Sequence, residues 1–189
     1  MKLNPPNLLT LSRFILAGLF IICLSVPFAG SFITALVLFS IAALTDALDG
    51  YLARNIYGCS AFGKLMDPLA DKVLTAAAFI GFVEMGIMPA WMVTLILARE
   101  MMVTGLRLLA ADKNVVLAAG LWGKVKTVWQ MTFIIAILLL LSAYSLFPLD
   151  FMDSDLFWTI EIWVAGIVTA LTVWSGIVYF HQNLKLLRD

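Results

Sequence analysis

At 189 residues, with 63% hydrophobic and 13% charged side chains, the chain carries about half the charge of an ordinary soluble domain. Its 12 Lys and Arg balance 12 Asp and Glu, and the mean hydropathy is +1.03. These values exclude a nucleic-acid binder driven by bulk charge and a soluble globule able to hide its own apolar surface. Residues 14–45 and 127–149 hold no Asp, Glu, Lys or Arg. A bilayer core about 30 Å thick needs about 20 apolar helical residues per crossing, so the pattern predicts an integral membrane protein.

Breakers and charges divide the chain into six apolar segments, 8–26, 31–54, 63–83, 90–109, 120–146 and 158–180. Pro27 and Gly30 separate the first two, Gly86 and Pro89 the third and fourth, and Pro148 with Asp150, Asp153 and Asp155 the last two. The runs are too long and too continuous for membrane β-strands, so the expected fold is all-α with six transmembrane helices in one domain covering 1–189. The apolar run after Lys2 outlasts a signal-peptide core and lacks a small-x-small cleavage site, so the first segment is expected to be retained. Lys2, Arg13, Arg54, Lys64, Lys72, Arg99, Arg107, Lys113, Lys124, Lys126, Lys185 and Arg188 all fall at or near one face of such a bundle. The opposite connections carry only acids, Glu84 and the 150–155 patch. The positive-inside rule then puts both termini in the cytoplasm. Cys23 and Cys59 are too few and too separated for a disulfide framework and read as unpaired thiols.

Four carboxylates stand where they are costly. Asp46 and Asp49 end the second segment, and Asp67 and Asp71 begin the third. Spacings of i,i+3 and i,i+4 put each pair on one helical face, with Cβ atoms about 5–6 Å apart, and the short connection between the helices lets the pairs face each other. Two like charges about 4 Å apart repel by about 4 kcal/mol at an effective dielectric of about 20, so the four need protons or bridging cations. Oxygen ligands of this kind suit Mg²⁺, Mn²⁺ or Ca²⁺. The plain alternative is a set of helix-end acids in interfacial water, paired with Arg54, Lys64 and Lys72. Gly50, Ala53 and Gly63 on the same faces allow close helix approach or leave room for a flat ligand.

The run from Asp46 through Asp49-Gly50 and Ala53-Arg54, then eight residues to Gly63, Asp67 and Asp71, resembles the CDP-alcohol phosphotransferase signature D-x2-D-G-x2-A-R-x8-G-x3-D-x3-D. Every fixed position matches without a gap, and the six-helix layout of that family extends the resemblance to nearly the whole chain. The resemblance implies the family's fold, a two-metal site holding Mg²⁺ or Mn²⁺, and transfer chemistry on a CDP-linked lipid. Asp46, Asp49 and Asp67 would be metal ligands, and Asp71 would join them and act as general base. Gly50, Ala53 and Gly63 would make room for the cytidine nucleotide, and Arg54 would contact phosphate or brace the acids. A homodimer in the cytoplasmic (inner) membrane, with the active site facing the cytoplasm, is also implied.

A second, basic constellation follows. Arg99 and Arg107 lie two turns apart in the fourth segment, and Lys124 and Lys126 open the fifth. They exceed what Glu100 and Asp112 can neutralise. Arg forks suit bidentate phosphate contacts and Lys adds point charge, whereas the alternative is side chains snorkelling to anionic headgroups. Together with the 4–13 stretch, these A-R-E, G-x-R and G-K-x-K-T segments look like the branch of the family that makes phosphatidylglycerophosphate. Such an enzyme moves the phosphatidyl group of CDP-diacylglycerol to sn-glycerol 3-phosphate and releases CMP. Arg99, Arg107, Lys124 and Lys126 would then hold the acceptor phosphate. Asn7 and Thr10 either approach the nucleotide or cap the first helix.

Other readings compete. The same transfer to phosphatidylglycerol or inositol phosphate is one. A prenyltransferase would be expected to carry a second Asp-rich motif, and a small cation transporter would place its acids near the bilayer midplane. His181, the outer-boundary Trp91, Trp158 and Trp163, and Glu161 read as structural, with Glu161 expected to reach interfacial water.

Overall fold

In a computed structural model of the chain, residues 5–26, 28–52, 61–112, 115, 117, 120–147, 152 and 154–183 are described, and their side chains likewise except at 5–10, 46–52, 61–68, 70, 71 and 112. Six helices follow in order, α1 (Pro5–Ser25), α2 (Ser31–Leu52), α3 (Ala61–Glu84), α4 (Ala90–Asp112), α5 (Leu121–Leu146) and α6 (Asp155–Gln182). No strand occurs among the described residues. Each apolar segment becomes one helix, and the differences lie at the ends.

Helix α1 begins at Pro5 because proline suits a first turn, where its missing N–H is not needed. Helix α6 begins at Asp155 because Ser154 caps it: the Phe157 amide donates to Ser154 Oγ at 3.3 Å, and the Asp155 carboxylate complements the helix N-terminus. Helix α4 runs on past Leu109 through Ala110 and Ala111, good helix formers, to Asp112. Two connections turn on glycine in the left-handed region, Gly30 at φ 83° and Gly86 at φ 74°, where a side chain would be strained.

The helices form two compact units, Met1–Gly81 with Ala136–Leu149, and Phe82–Ile135 with Asp150–Asp189. In the first, α1 and α2 make a tight hairpin. Ala17, Phe20 and Cys23 of α1 and Ala35, Phe39 and Ala42 of α2 are all buried, and the Phe20 and Phe39 rings lie 5.6 Å apart. Alternating small and large residues let the backbones approach while the rings fill the gap. Gly81 of α3 packs so closely on Leu24 that a Cβ there would lie 2.6 Å from Leu24 Cδ1.

In the second unit, contacts fix helix directions. Met92, Arg99 and Arg107 of α4 meet Gly166, Gly176 and Tyr179 of α6 in rising order, so these two helices run parallel. Gly120 and Gln130 meet Gln182 and Thr172 in opposite order, so α5 runs antiparallel to α6. Residue numbers rise together along α4 and α6 and fall along α5, as in a chain that reverses direction at every helix.

Polarity is inverted relative to a water-soluble protein. Leu11, Ile15, Ile80, Trp91, Leu139, Ile160, Trp174 and Ile177 point outward, while Arg13, Arg99, Glu100, Lys126, Gln130, Thr172 and Ser175 are buried. In water, such an exterior costs about 25 cal/mol for each Å² of apolar surface. In lipid it costs nothing, and polar side chains turn inward to find partners. Helices α5 and α6 are long and apolar enough to cross a membrane, and Leu11–Ser25 and Ser31–Thr45 are shorter apolar stretches.

Candidate functional site

The acidic motif falls at a helix end and a helix start. The backbone places Asp46, Asp49 and Gly50 in the last two turns of α2, and Gly63, Asp67 and Asp71 in the first three turns of α3. The side chains of these residues, and Ala53, Arg54 and Cys59 altogether, lie outside the described residues, as do the side chains of Asn7 and Thr10. The helical backbone does give each acidic pair the one-face spacing expected of it.

The basic constellation is placed in detail. Arg99 and Lys126, on α4 and α5, are both buried and share one carboxylate oxygen. Arg99 Nη1 donates to Glu100 Oε1 at 3.1 Å, and Lys126 Nζ donates to the same oxygen. Lys126 Nζ also donates to Gln130 Oε1 at 3.2 Å, and Gln130 Nε2 donates to Thr172 Oγ1 of α6 at 3.0 Å. Arg107 stands in the last two turns of α4. It is exposed, its Nε donates to the Tyr179 hydroxyl at 3.1 Å, and its Cζ lies 5.3 Å from the Tyr179 ring centroid. Lys124 is exposed on the first turn of α5.

Arg99 and Arg107 therefore do share a face, the one turned to α6. Lys126 is more deeply committed than the sequence suggests, because Glu100 engages it and Arg99 together. Among the described residues this cluster brings two buried cations to one carboxylate, with Arg107 adding a further cation along α4. Arg99 Nε is buried with no partner among the described residues. An unsatisfied buried N–H costs about 1–3 kcal/mol, so this donor favours a bound acceptor atom.

Several residues here were not singled out from sequence. Gln130, Thr172, Gly176 and Tyr179 carried no motif, although the last three recur at i, i+4 and i+7, a helical face. Arg13, read as a topology marker and as the end of the 4–13 stretch, is 1% exposed on the same α1 stripe as Ala17 and Phe20. Glu161 does not reach water as expected: it is 5% exposed and its Oε1 has no partner among the described residues. Its place in the second turn of α6 puts it on the packed side of the helix, with Phe157 and Ala165. Trp91, Trp158, Trp163 and His181 are exposed, as boundary residues should be.

Comparison with known proteins adds a family to this geometry. A family model described as CDP-alcohol phosphatidyltransferase matches residues 3–177. A protein of Bacillus subtilis named CDP-diacylglycerol–glycerol-3-phosphate 3-phosphatidyltransferase is 38% identical over 197 residues, covering 98% of this chain and 97% of its own length. A protein of Salmonella typhimurium with the same name is 37% identical over 192 residues, covering 95% and 94%.

Proposed function

The chain belongs to the CDP-alcohol phosphatidyltransferase family, and we propose that it transfers the phosphatidyl group of CDP-diacylglycerol to sn-glycerol 3-phosphate, forming phosphatidylglycerophosphate and CMP. It is a membrane enzyme. The single observation that carries the acceptor is the buried Arg99–Glu100–Lys126 cluster, cation-rich and with a spare Arg99 N–H. Serine or free inositol offers such a cluster no net negative charge, whereas a phosphomonoester does. Phosphatidyl transfer is the chemistry of the family, and it displaces the transporter and prenyltransferase readings.

The family as a whole depends on divalent metals. Four carboxylates, on one face at the end of α2 and one face at the start of α3, make a hard-oxygen donor set that fits Mg²⁺ or Mn²⁺. Asp46, Asp49, Asp67 and Asp71 would hold the ions, which when bound supply Lewis-acid polarisation of phosphoryl oxygens and charge stabilisation of departing CMP. Gly50, Ala53 and Gly63 leave room for the nucleotide, and Arg54 braces the acids or meets phosphate. Asp71 accepts the proton of the attacking glycerol hydroxyl. Arg99 and Arg107, with Lys124 at the rim, bind and orient the acceptor phosphate, and Lys126 adds buried charge behind them. In-line attack then needs only positioning and charge stabilisation, which is where catalysis of phosphoryl transfer resides.

The proposed topology is six spans in a single domain over 1–189, with both termini and the site on the cytoplasmic side of the inner membrane. Three observations support it: basic residues that fall at or near one face in the sequence pattern, alternating directions of α4, α5 and α6, and one family model running through both units. The assembly implied by the family is a homodimer. The test is CMP release from CDP-diacylglycerol by purified protein in detergent. Release should require both sn-glycerol 3-phosphate and Mg²⁺ or Mn²⁺, and chelation should stop it. Release with phosphatidylglycerol or inositol phosphate instead would keep the carboxylate site and overturn the acceptor assignment.

A further inference from the structure

One face of α6 reaches three of the four cations assigned to the acceptor, each by a different device. Thr172, Gly176 and Tyr179 stand at i, i+4 and i+7. We propose that this face is the template that aims the acceptor-phosphate cations, with Thr172, Gly176 and Tyr179 as positioning residues. The inference rests on the assignment of Arg99, Arg107 and Lys126 to the acceptor phosphate and names what holds them.

Gly176 acts by what it lacks. A Cβ at this position would lie 2.7 Å from Arg99 Cγ, 3.6 Å from Nε and 3.7 Å from Cδ. Cγ is near the root of the side chain, so Arg99 cannot yield by swinging its tip alone. Any side chain at 176 forces rotation nearer the backbone, which carries the guanidinium off Glu100 and re-aims the spare Nε. Glycine here is the slot in which the arginine stem lies.

Thr172 acts through an amide. Its hydroxyl donates to the Val168 carbonyl at 2.7 Å, as a threonine in a helix commonly does. With its one proton committed, Thr172 Oγ1 can only accept from Gln130. The Gln130 amide must therefore turn its NH₂ to Thr172 and its oxygen to Lys126, the arrangement that lets a buried ammonium be satisfied. Without the hydroxyl, the Gln130 NH₂ loses its acceptor and only the ammonium holds the amide, so the side chain is fixed at one end instead of two. Tyr179 holds Arg107 twice, by its hydroxyl and beneath the guanidinium by its ring.

None of the three needs to touch substrate, so a positioning role predicts a selective kinetic signature. In detergent-mixed micelles, Thr172→Val and Gly176→Ala should each raise the KM for sn-glycerol 3-phosphate, by roughly three- to tenfold if one net hydrogen bond is lost. The KM for CDP-diacylglycerol should stay unchanged. Thr172→Ser, which keeps the hydroxyl, should restore the parent KM, and Tyr179→Phe should give a smaller rise because the ring remains. An unchanged glycerol phosphate KM in both Thr172→Val and Gly176→Ala overturns the inference. So does a loss of kcat with both KM values intact, or failure of serine to rescue. If Gly176→Ala does not fold, the near-isosteric Thr172→Val carries the test with its serine control. Arg99→Ala in the same assay separates the layers. A raised glycerol phosphate KM there, with none in the α6 variants, removes the template alone, whereas no rise in Arg99→Ala removes the acceptor assignment itself.

Discussion

Replacing Glu100 by Gln tests the charge balance on which the cluster depends. Arg99 and Lys126 are 8% and 7% exposed, and one carboxylate oxygen accepts from both. Removing its charge takes from Arg99 and Lys126 the one carboxylate they share in a low-dielectric interior, with Arg107 a further positive group on the same helix as Arg99. Breaking a buried ion pair from one side costs roughly 3–5 kcal/mol, far above the average of about 0.6 kcal/mol for an interhelical hydrogen bond in a membrane. Glutamine keeps an oxygen able to accept from one cation, which puts the expected loss near the lower end, about 3 kcal/mol. Reversible unfolding in mixed micelles of mild and denaturing detergent, followed by far-ultraviolet circular dichroism, measures it. Lys126→Met should cost less than Glu100→Gln, because Glu100 then still balances Arg99. The double variant should be more stable than the sum of the single losses predicts by about 0.5–3 kcal/mol, since Lys126 and Glu100 lose the same contact in either single variant. A Glu100→Gln loss below about 0.5 kcal/mol, the range of an ordinary surface change, or strict additivity in the double variant, would refute the reasoning.

Three other outcomes are expected. Asp71→Asn should abolish CMP release while CDP-diacylglycerol binding, measured by isothermal titration or filter retention, persists; undiminished turnover removes Asp71 as base. Arg107→Ala should raise the KM for sn-glycerol 3-phosphate more than it lowers kcat, by roughly tenfold or more for a charge-assisted contact; an unaltered KM takes Arg107 out of the acceptor site. Ala42→Leu, at a fully buried position of the α1–α2 hairpin, should destabilise the protein by about 1–3 kcal/mol through overpacking, read in the same detergent titration; a neutral result would mean that the hairpin is looser than its Phe20–Phe39 contact indicates.

Much of the fold was legible because each helix is announced twice, by an apolar run and by the breakers around it. Gly30 and Gly86 both adopt the left-handed backbone that a tight reversal requires, and Pro5 and Ser154 set helix starts by local chemistry. What hydropathy misjudged were ends, as at α4, where the helix continues beyond Leu109 to the polar Asp112. Burial was legible only in part. Glu161 looks from sequence like a boundary acid, yet its position beside Phe157 and Ala165 on the packed face keeps it inside. Helical phase relative to neighbours decides that, and phase is set by packing partners far away in sequence.

The same limit explains why the cations were legible and their supports were not. A charge in an apolar segment is conspicuous on its own, because its cost in lipid demands a reason. A threonine, a glutamine or a glycine in such a segment is commonplace, and its role exists only in combination. Thr172 matters because Gln130 lies opposite it, and Gly176 because Arg99 does. Those pairings follow from α4 running parallel and α5 antiparallel to α6. Shifting α6 by one residue relative to its neighbours would rotate the stripe by about 100° and part all three contacts at once. The arrangement of the cluster thus resides as much in the register of three helices as in the charges themselves.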